Sequence, residues 1–146
     1  MKEAYLTRRA TFAAAHRYWR EDWTEDRNRA VFGACANPYG HGHSYAVEVT
    51  VRGGIDAETG FAIDLAALDA ALHDAVVGPL DHQHINHAIP QFGPGGQVPT
   101  TENLAAWAWE RLEGRLPHGV RLHRVRVRED ESLYVDYFGG GGGTLP

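Results

Sequence analysis

The sequence predicts an α+β fold, with two helices segregated to one face of an antiparallel sheet. Three observations carry that expectation. Period-two alternation marks strands near both ends of the chain, two apolar stripes at helical spacing lie between them, and no period of 20 to 50 residues repeats. The predicted order is two strands, a helix, a loop, a helix and two strands, which gives a four-stranded sheet.

Each element has its own signal. Alternation from Tyr5 to His16 puts Phe12, Ala14 and His16 on one face of the first strand. Residues 17–34 are charged and largely without period, which reads as a long surface loop pinned by Trp19, Trp23 and Phe32. Ser44 to Arg52 forms the second strand, with Tyr45, Val47, Val49 and Val51 on one side, and Gly53-Gly54 stops it. Asp64 is placed to cap a helix running to Val77, where Leu65, Leu68, Leu72 and Val76 recur at helical spacing and Gly78-Pro79 ends it. Residues 80–99, rich in histidine, glycine and proline, read as a loop. Thr100 or Thr101 caps the second helix, whose stripe is Leu104, Ala108 and Leu112 with Trp107 beside it. Strands over Leu122–Glu129 and Leu133–Phe138 follow, joined by a tight Asp130-Glu131-Ser132 turn. Residues 1–138 are expected to be one domain, and the glycine-rich tail 139–146 a flexible appendage.

Composition narrows the function. A net charge of −5 argues against a general nucleic-acid or membrane-surface binder, since either favours a basic face. One cysteine excludes an internal disulfide, and no stretch has the character of a signal peptide or membrane span, so a cytoplasmic protein is expected. Nine histidines in 146 residues make a metal site worth seeking.

The segment CANPYGHGHSY, residues 35–45, is where chemistry concentrates. His41 and His43 at i and i+2 of a strand project to one face and can grip one ion, while Gly42 leaves the opposite face uncrowded. Zinc wants a third ligand, and His16, closing the first strand, is the best candidate. A His-x-His pair by itself is also a common coincidence. His82, His84 and His87 form a rival cluster, although His84 and His87 read equally as polar loop residues. Cys35 sits in a Gly/Asn/Pro loop; it is either a small buried hydrophobe or, near a metal and a basic imidazole, a thiol of lowered pKa. Asp81 next to His82 suits a carboxylate that orients an imidazole, or a simple turn at a helix end. Glu129 ends an apolar strand face, which is costly unless it pairs with a ligand's N–H groups or the strand emerges there into water. Glu102 lies in the first turn of the second helix, where a negative charge is favourable in any case.

Six segments in order, FAAAHR, CANPYGHGHSY, VRGGIDAETGFAIDL, PLDHQHIN, PTTENLA and VRVRED, make the chain resemble the 6-pyruvoyltetrahydropterin synthase / 6-carboxytetrahydropterin synthase family over residues 5 to 138. The resemblance implies the tunnelling fold, ββααββ, in which subunits close their sheets into a barrel. It implies a homohexamer built as a dimer of trimers, with active sites between subunits. His16, His41 and His43 match the Zn2+ ligands, and Cys35 matches the catalytic thiol. Asp81 and His82 match the dyad that completes the triad from a neighbouring subunit, Glu129 the acid that anchors the pterin, and Thr101 and Glu102 a segment lining its pocket. The implied substrate is 7,8-dihydroneopterin triphosphate, with no nucleic-acid or membrane partner. The longer Cys35–His41 spacing resembles members that form 6-pyruvoyltetrahydropterin. Members that form 6-carboxytetrahydropterin for queuosine synthesis are the alternative, and a non-catalytic pterin-binding module is a third reading. Arginine must meet the triphosphate, and Arg8, Arg9, Arg17 and Arg20 remain open as candidates.

Overall fold

The computed structural model describes residues 2–140; of the tail expected to be flexible, residues 141–146 lie outside the described residues. Its spine is a pair of 14-residue strands, β1 (Glu3–His16) and β2 (His41–Gly54), antiparallel from Glu3 opposite Gly54 to His16 opposite His41. The opposite edge of β2 takes β4 (Arg121–Arg128), and β4 takes β5 (Tyr134–Tyr137), both antiparallel. A two-residue strand, β3 (Gln83–His84), adds to the free edge of β1 in parallel. The sheet is therefore mixed and five-stranded, in the order β3-β1-β2-β4-β5, and corrects the expected four-stranded antiparallel sheet.

Strand parity decides which face is buried. Phe12, Ala14 and His16 of β1, Tyr45, Val47, Val49 and Val51 of β2, and Val125 and Val127 of β4 are all buried. They pack against Leu68 and Leu72 of α2 (Leu65–Leu72) and Leu104, Ala108 and Leu112 of α5 (Thr101–Glu113). Each fully buried leucine or valine contributes about 1.5–3 kcal/mol, so this stripe dominates the stability of the sheet–helix layer. The reverse face is polar. There Arg126 pairs with Asp136 at 2.7 Å, Arg128 with Glu48 at 3.0 Å, and Thr7 with Thr50 at 2.7 Å.

Three segments differ from expectation. Residues 17–34 are not all loop: α1 spans Glu25–Phe32, followed by a 3-10 turn at Gly33–Ala36. Its cause is polar. Thr24 caps it by accepting from the Arg27 N–H, and Glu25 and Asp26 oppose the helix dipole. Buried Asn28 accepts from the Arg20 N–H at 2.7 Å and donates to the Arg20 and Thr24 carbonyls at 2.9 and 3.1 Å.

Nor does Gly78-Pro79 end the helix that Asp64 caps. After Asp64, which caps α2 as expected, the chain passes through a π turn at His73–Val77 into α3 (Gly78–Leu80). Proline has no N–H to give the carbonyl four residues back. That carbonyl, of Ala75, accepts instead from Arg111 Nε at 2.5 Å, so α5 supplies the bond that Pro79 lacks. The expected loop at 80–99 holds β3, α4 (Ile85–Ala88) and a 3-10 turn at Pro90–Phe92. Thr100 is the cap of α5, accepting from the Asn103 N–H at 3.1 Å. Among the described residues no helix is long and apolar enough to cross a membrane.

Asn28→Ala leaves buried backbone groups without partners, each costing about 1–3 kcal/mol. A urea titration should show a lowered midpoint at unchanged slope; an unmoved midpoint would mean that α1 is held by its aromatic neighbours instead.

Candidate active site and metal centre

The β1–β2 register puts His16 opposite His41, and His43, two residues along β2, shares their face. One ring nitrogen from each of the three lies within 4.8 Å of the others. His16 and His41 approach Nε2 to Nε2 at 3.1 Å. The other nitrogen of His16, Nδ1, is hydrogen-bonded to the Tyr45 hydroxyl at 2.6 Å, which leaves Nε2 for the cluster. Burial, reinforced by His43 and His41, pushes His16 down to about 3, so its ring is neutral at physiological pH. Neutral imidazole is the form that ligates metals.

These residues fit a cation by a direct observation. His43 Nε2 is buried and has no hydrogen-bond partner among the described residues, although Glu129 Oε1 is 3.3 Å away. An orphaned buried nitrogen is costly, and a cation shared by three imidazole nitrogens removes that cost.

Cys35 lies in the 3-10 turn after α1, half-buried, with Sγ 3.2 Å from His41 Nε2. Burial, and then the Glu129 carboxylate, push its thiol up. The expected lowering does not arise from the protein's own groups, and it would need the charge of a cation. The loop from Cys35 closes on β1 at Gly40, where φ is 71° and a Cβ would stand 2.6 Å from the His16 carbonyl oxygen. The need for glycine therefore falls on Gly40. At Gly42 a Cβ would meet the Ala14 oxygen at an ordinary 3.5 Å.

Glu129 follows directly on β4 and is 8% exposed, so the strand does not emerge into water there. Its Oε1 lies 3.6 Å from His16 Nε2 and accepts from the Tyr18 hydroxyl at 3.4 Å. Burial and the Glu129 charge push the Tyr18 phenol up, so it stays protonated and able to donate. Thr101, 2% exposed at the start of α5, and exposed Glu102 both act on that hydroxyl.

Asp81 and His82 stand apart from this group. Asp81 accepts from the Ala13 N–H at 3.0 Å and lies 3.0 Å from His82 Nδ1. The His82 ring is 82% exposed, and its backbone sits at φ 61°, a costly conformation for histidine. Among the described residues the pair makes no hydrogen bond to Cys35. The rival cluster does not form either: His84 and His87 stack at 4.1 Å, while His82 points outward.

Sequence reasoning did not assign Tyr18 and Tyr45 to the site. Tyr45 shares the parity of His41 and His43, so the period that selected the histidines includes it. Tyr18 lies beyond the end of β1, where no periodicity applies, and its ring stacks on His16 at 4.4 Å.

His43→Ala should abolish stoichiometric metal in the purified protein, as read by elemental analysis. Tyr45→Phe should leave the fold intact and weaken metal binding by about 10–100-fold. Undiminished affinity would make the Tyr45 hydroxyl a packing feature only.

Comparisons with known proteins place the sequence and the fold. Residues 5–140 match the profile of a family described as 6-pyruvoyl tetrahydropterin synthase. A human protein named 6-pyruvoyl tetrahydrobiopterin synthase is 41% identical over 137 residues, covering 94% of this chain and 92% of that one. A Pyrococcus furiosus protein named dihydroneopterin monophosphate aldolase is 33% identical over 134 residues, covering 92% and 96%. The solved structure of Caenorhabditis elegans 6-pyruvoyl tetrahydropterin synthase superposes with a TM-score of 0.88 at 31% identity, covering 96% of this chain and 98% of that one. The chain belongs to the 6-pyruvoyl tetrahydropterin synthase family.

Proposed function

We propose that the chain is a lyase that converts 7,8-dihydroneopterin triphosphate to 6-pyruvoyltetrahydropterin with release of triphosphate. The observation that carries this reading is the Cys35 thiol 3.2 Å from an imidazole of the three-histidine cluster, with the Glu129 carboxylate on the cluster's other members. A purely structural metal site needs neither the thiol nor the acid. The 41% identity over 94% of the chain supports the pyruvoyl product over the carboxy product of queuosine synthesis.

The residues divide the work. Glu129, held by the Tyr18 hydroxyl, accepts the paired N–H groups on the pterin edge and fixes the ring. Thr101 and Glu102 line that end. A divalent ion on His16, His41 and His43, with zinc the best match to three imidazoles and an open position, would supply Lewis acidity toward the side-chain hydroxyls and lower the Cys35 thiol. Cys35 as thiolate takes the proton from the hydroxyl-bearing carbon next to the ring; protons return to the ring's C=N bond, which is reduced as that carbon becomes a ketone. Loss of a proton from the next carbon then breaks the C–O bond to triphosphate, and the resulting enol collapses to the second ketone. Asp81 and His82 are proposed to serve the Cys35 of a neighbouring copy, because they face outward from their own chain. That arrangement requires the oligomer, for which the homohexamer is the proposed form. A catalytic free thiol also suits a reducing, cytoplasmic setting. The working unit is proposed to be a single domain over residues 1–138, supported by the family match over 5–140.

Incubation with 7,8-dihydroneopterin triphosphate in the presence of zinc should release inorganic triphosphate, and the mass of the pterin should be that of the intact three-carbon diketone. A pterin two carbons lighter identifies the carboxy-forming alternative. Side-chain cleavage with phosphate left on the released fragment identifies an aldolase, the activity in the name of the Pyrococcus relative. No change in substrate sinks the lyase reading and leaves a pterin-binding module. Cys35→Ala should reduce turnover by about 10²–10⁴-fold while sparing bound metal and pterin binding. Glu129→Gln should act mainly on KM for the pterin, and a mutant that fails to fold would make Glu129 structural.

A further inference from the structure

Beside the thiol loop lies a second cleft, of about 250 Å³, that the roles above do not use. Its walls include Arg17, Trp19, Tyr39, His84 and His87, with Glu21 exposed at the edge. Pro38 and Tyr39 belong to the loop joining Cys35 to His41, and Arg17 Nε donates to the Ala36 carbonyl at 3.3 Å, so the cleft adjoins the catalytic turn.

We propose that this cleft is the cradle for the substrate's phosphate chain, with the Arg17 guanidinium and the His84 ring as its donors. The inference rests on the lyase reading, which requires a polyphosphate to be held near Cys35.

Arg17 is prepared for an anion. Asn86 accepts from its backbone N–H and donates to its carbonyl, both at 2.8 Å, which clamps the end of β1 to α4. Its guanidinium stacks on Trp19 at 4.1 Å, and the Ala36 bond uses only Nε, so the two terminal nitrogens are left for a ligand. A planar fork held in this way matches phosphate oxygens. His84 adds a buried ring nitrogen, Nδ1, with no hydrogen-bond partner among the described residues. His87, stacked on His84, fixes that ring's plane.

The other arginines are engaged or badly placed. Arg8 is held by both oxygens of Asp69 at 2.7 and 2.9 Å, and Arg20 by both of Asp22 at 2.9 and 2.8 Å. Arg9 and Arg128 line a larger cleft on the polar face, but Glu48, Glu129, Asp130 and Glu131 line it too, so four carboxylates oppose two guanidiniums. A polyphosphate is repelled there. In the smaller cleft Glu21 is the only carboxylate among the described lining residues, and it faces water.

The test is calorimetric titration of the full-length, metal-loaded protein with inorganic tripolyphosphate at fixed ionic strength, with metal content measured before and after. Arg17→Gln should weaken binding at least about tenfold, Arg17→Lys should recover part of the loss, and His84→Gln should weaken it less. Arg9→Gln should bind within about twofold of the parent, and all variants should bind neopterin, which lacks phosphate, as the parent does. Equal binding by Arg17→Gln and the parent, an equal loss in Arg9→Gln, or a parent that does not bind tripolyphosphate overturns the cradle. Because this readout needs no turnover, an inactive protein whose tripolyphosphate binding depends on Arg17 would refute the lyase and keep the anion site. An active protein whose binding ignores Arg17 would do the reverse.

Discussion

The register between β1 and β2 is the constraint on which the rest depends. It sets His16 opposite His41 and, through strand parity, brings His43 and Tyr45 to the same face. A slip of one residue would turn β1's entire buried set outward, His16 included. Apolar packing along the same face prevents that slip. Phe12 stacks on Tyr45 at 5.0 Å, and Val47, Val49 and Val51 are at most 1% exposed. The core and the site are thus one object: the hydrophobic stripe that α2 and α5 cover ends in the imidazole cluster.

That continuity has an energetic cost. At its polar end the stripe buries His16 completely, leaves His43 Nε2 without a hydrogen-bond partner among the described residues, and places a carboxylate against both rings. Each would be destabilising in a core selected only for stability. The fold offsets them with well-satisfied neighbours: Tyr45 on His16 Nδ1, Tyr18 on Glu129, and the Asn86 clamp on Arg17. Local rules broken together at one place, with compensation around them, are what a functional site leaves in a structure. The strained backbone of His82, away from the core, is held by its N–H on the Ala13 carbonyl and by Asp81 against its ring.

Where a residue's partners lie along a regular element, the sequence made the arrangement readable. Alternation selected His16, His41 and His43, helical spacing selected the α2 and α5 stripes, and Asp64 declared its cap. Polar anchoring was opaque. Helix α1 is held by Asn28 and a threonine cap rather than an apolar stripe, so its charged sequence read as loop. The Gly78-Pro79 break failed as a stop signal because Arg111, 36 residues away, bonds the carbonyl that proline leaves free. Strand β3 is two residues long, and its pairing with Ala14 and Ala15 is tertiary. The proposed choice of Arg17 among four arginines likewise rests on tertiary contacts, since Asp69 holds Arg8 and Asp22 holds Arg20. Lowering of the Cys35 thiol was expected from a metal and a basic histidine together; among the protein's own groups, burial and then Glu129 push it up instead.

The central claim is that one ion sits among the imidazoles of His16, His41 and His43, beside the Cys35 sulfur. Anomalous scattering from crystals of the metal-loaded protein tests it most directly. The account predicts a single strong peak per chain, about 2.0–2.1 Å from one nitrogen of each of those three residues. A peak at His82, His84 or His87, or a fully occupied ion remote from the Cys35 sulfur, would contradict it.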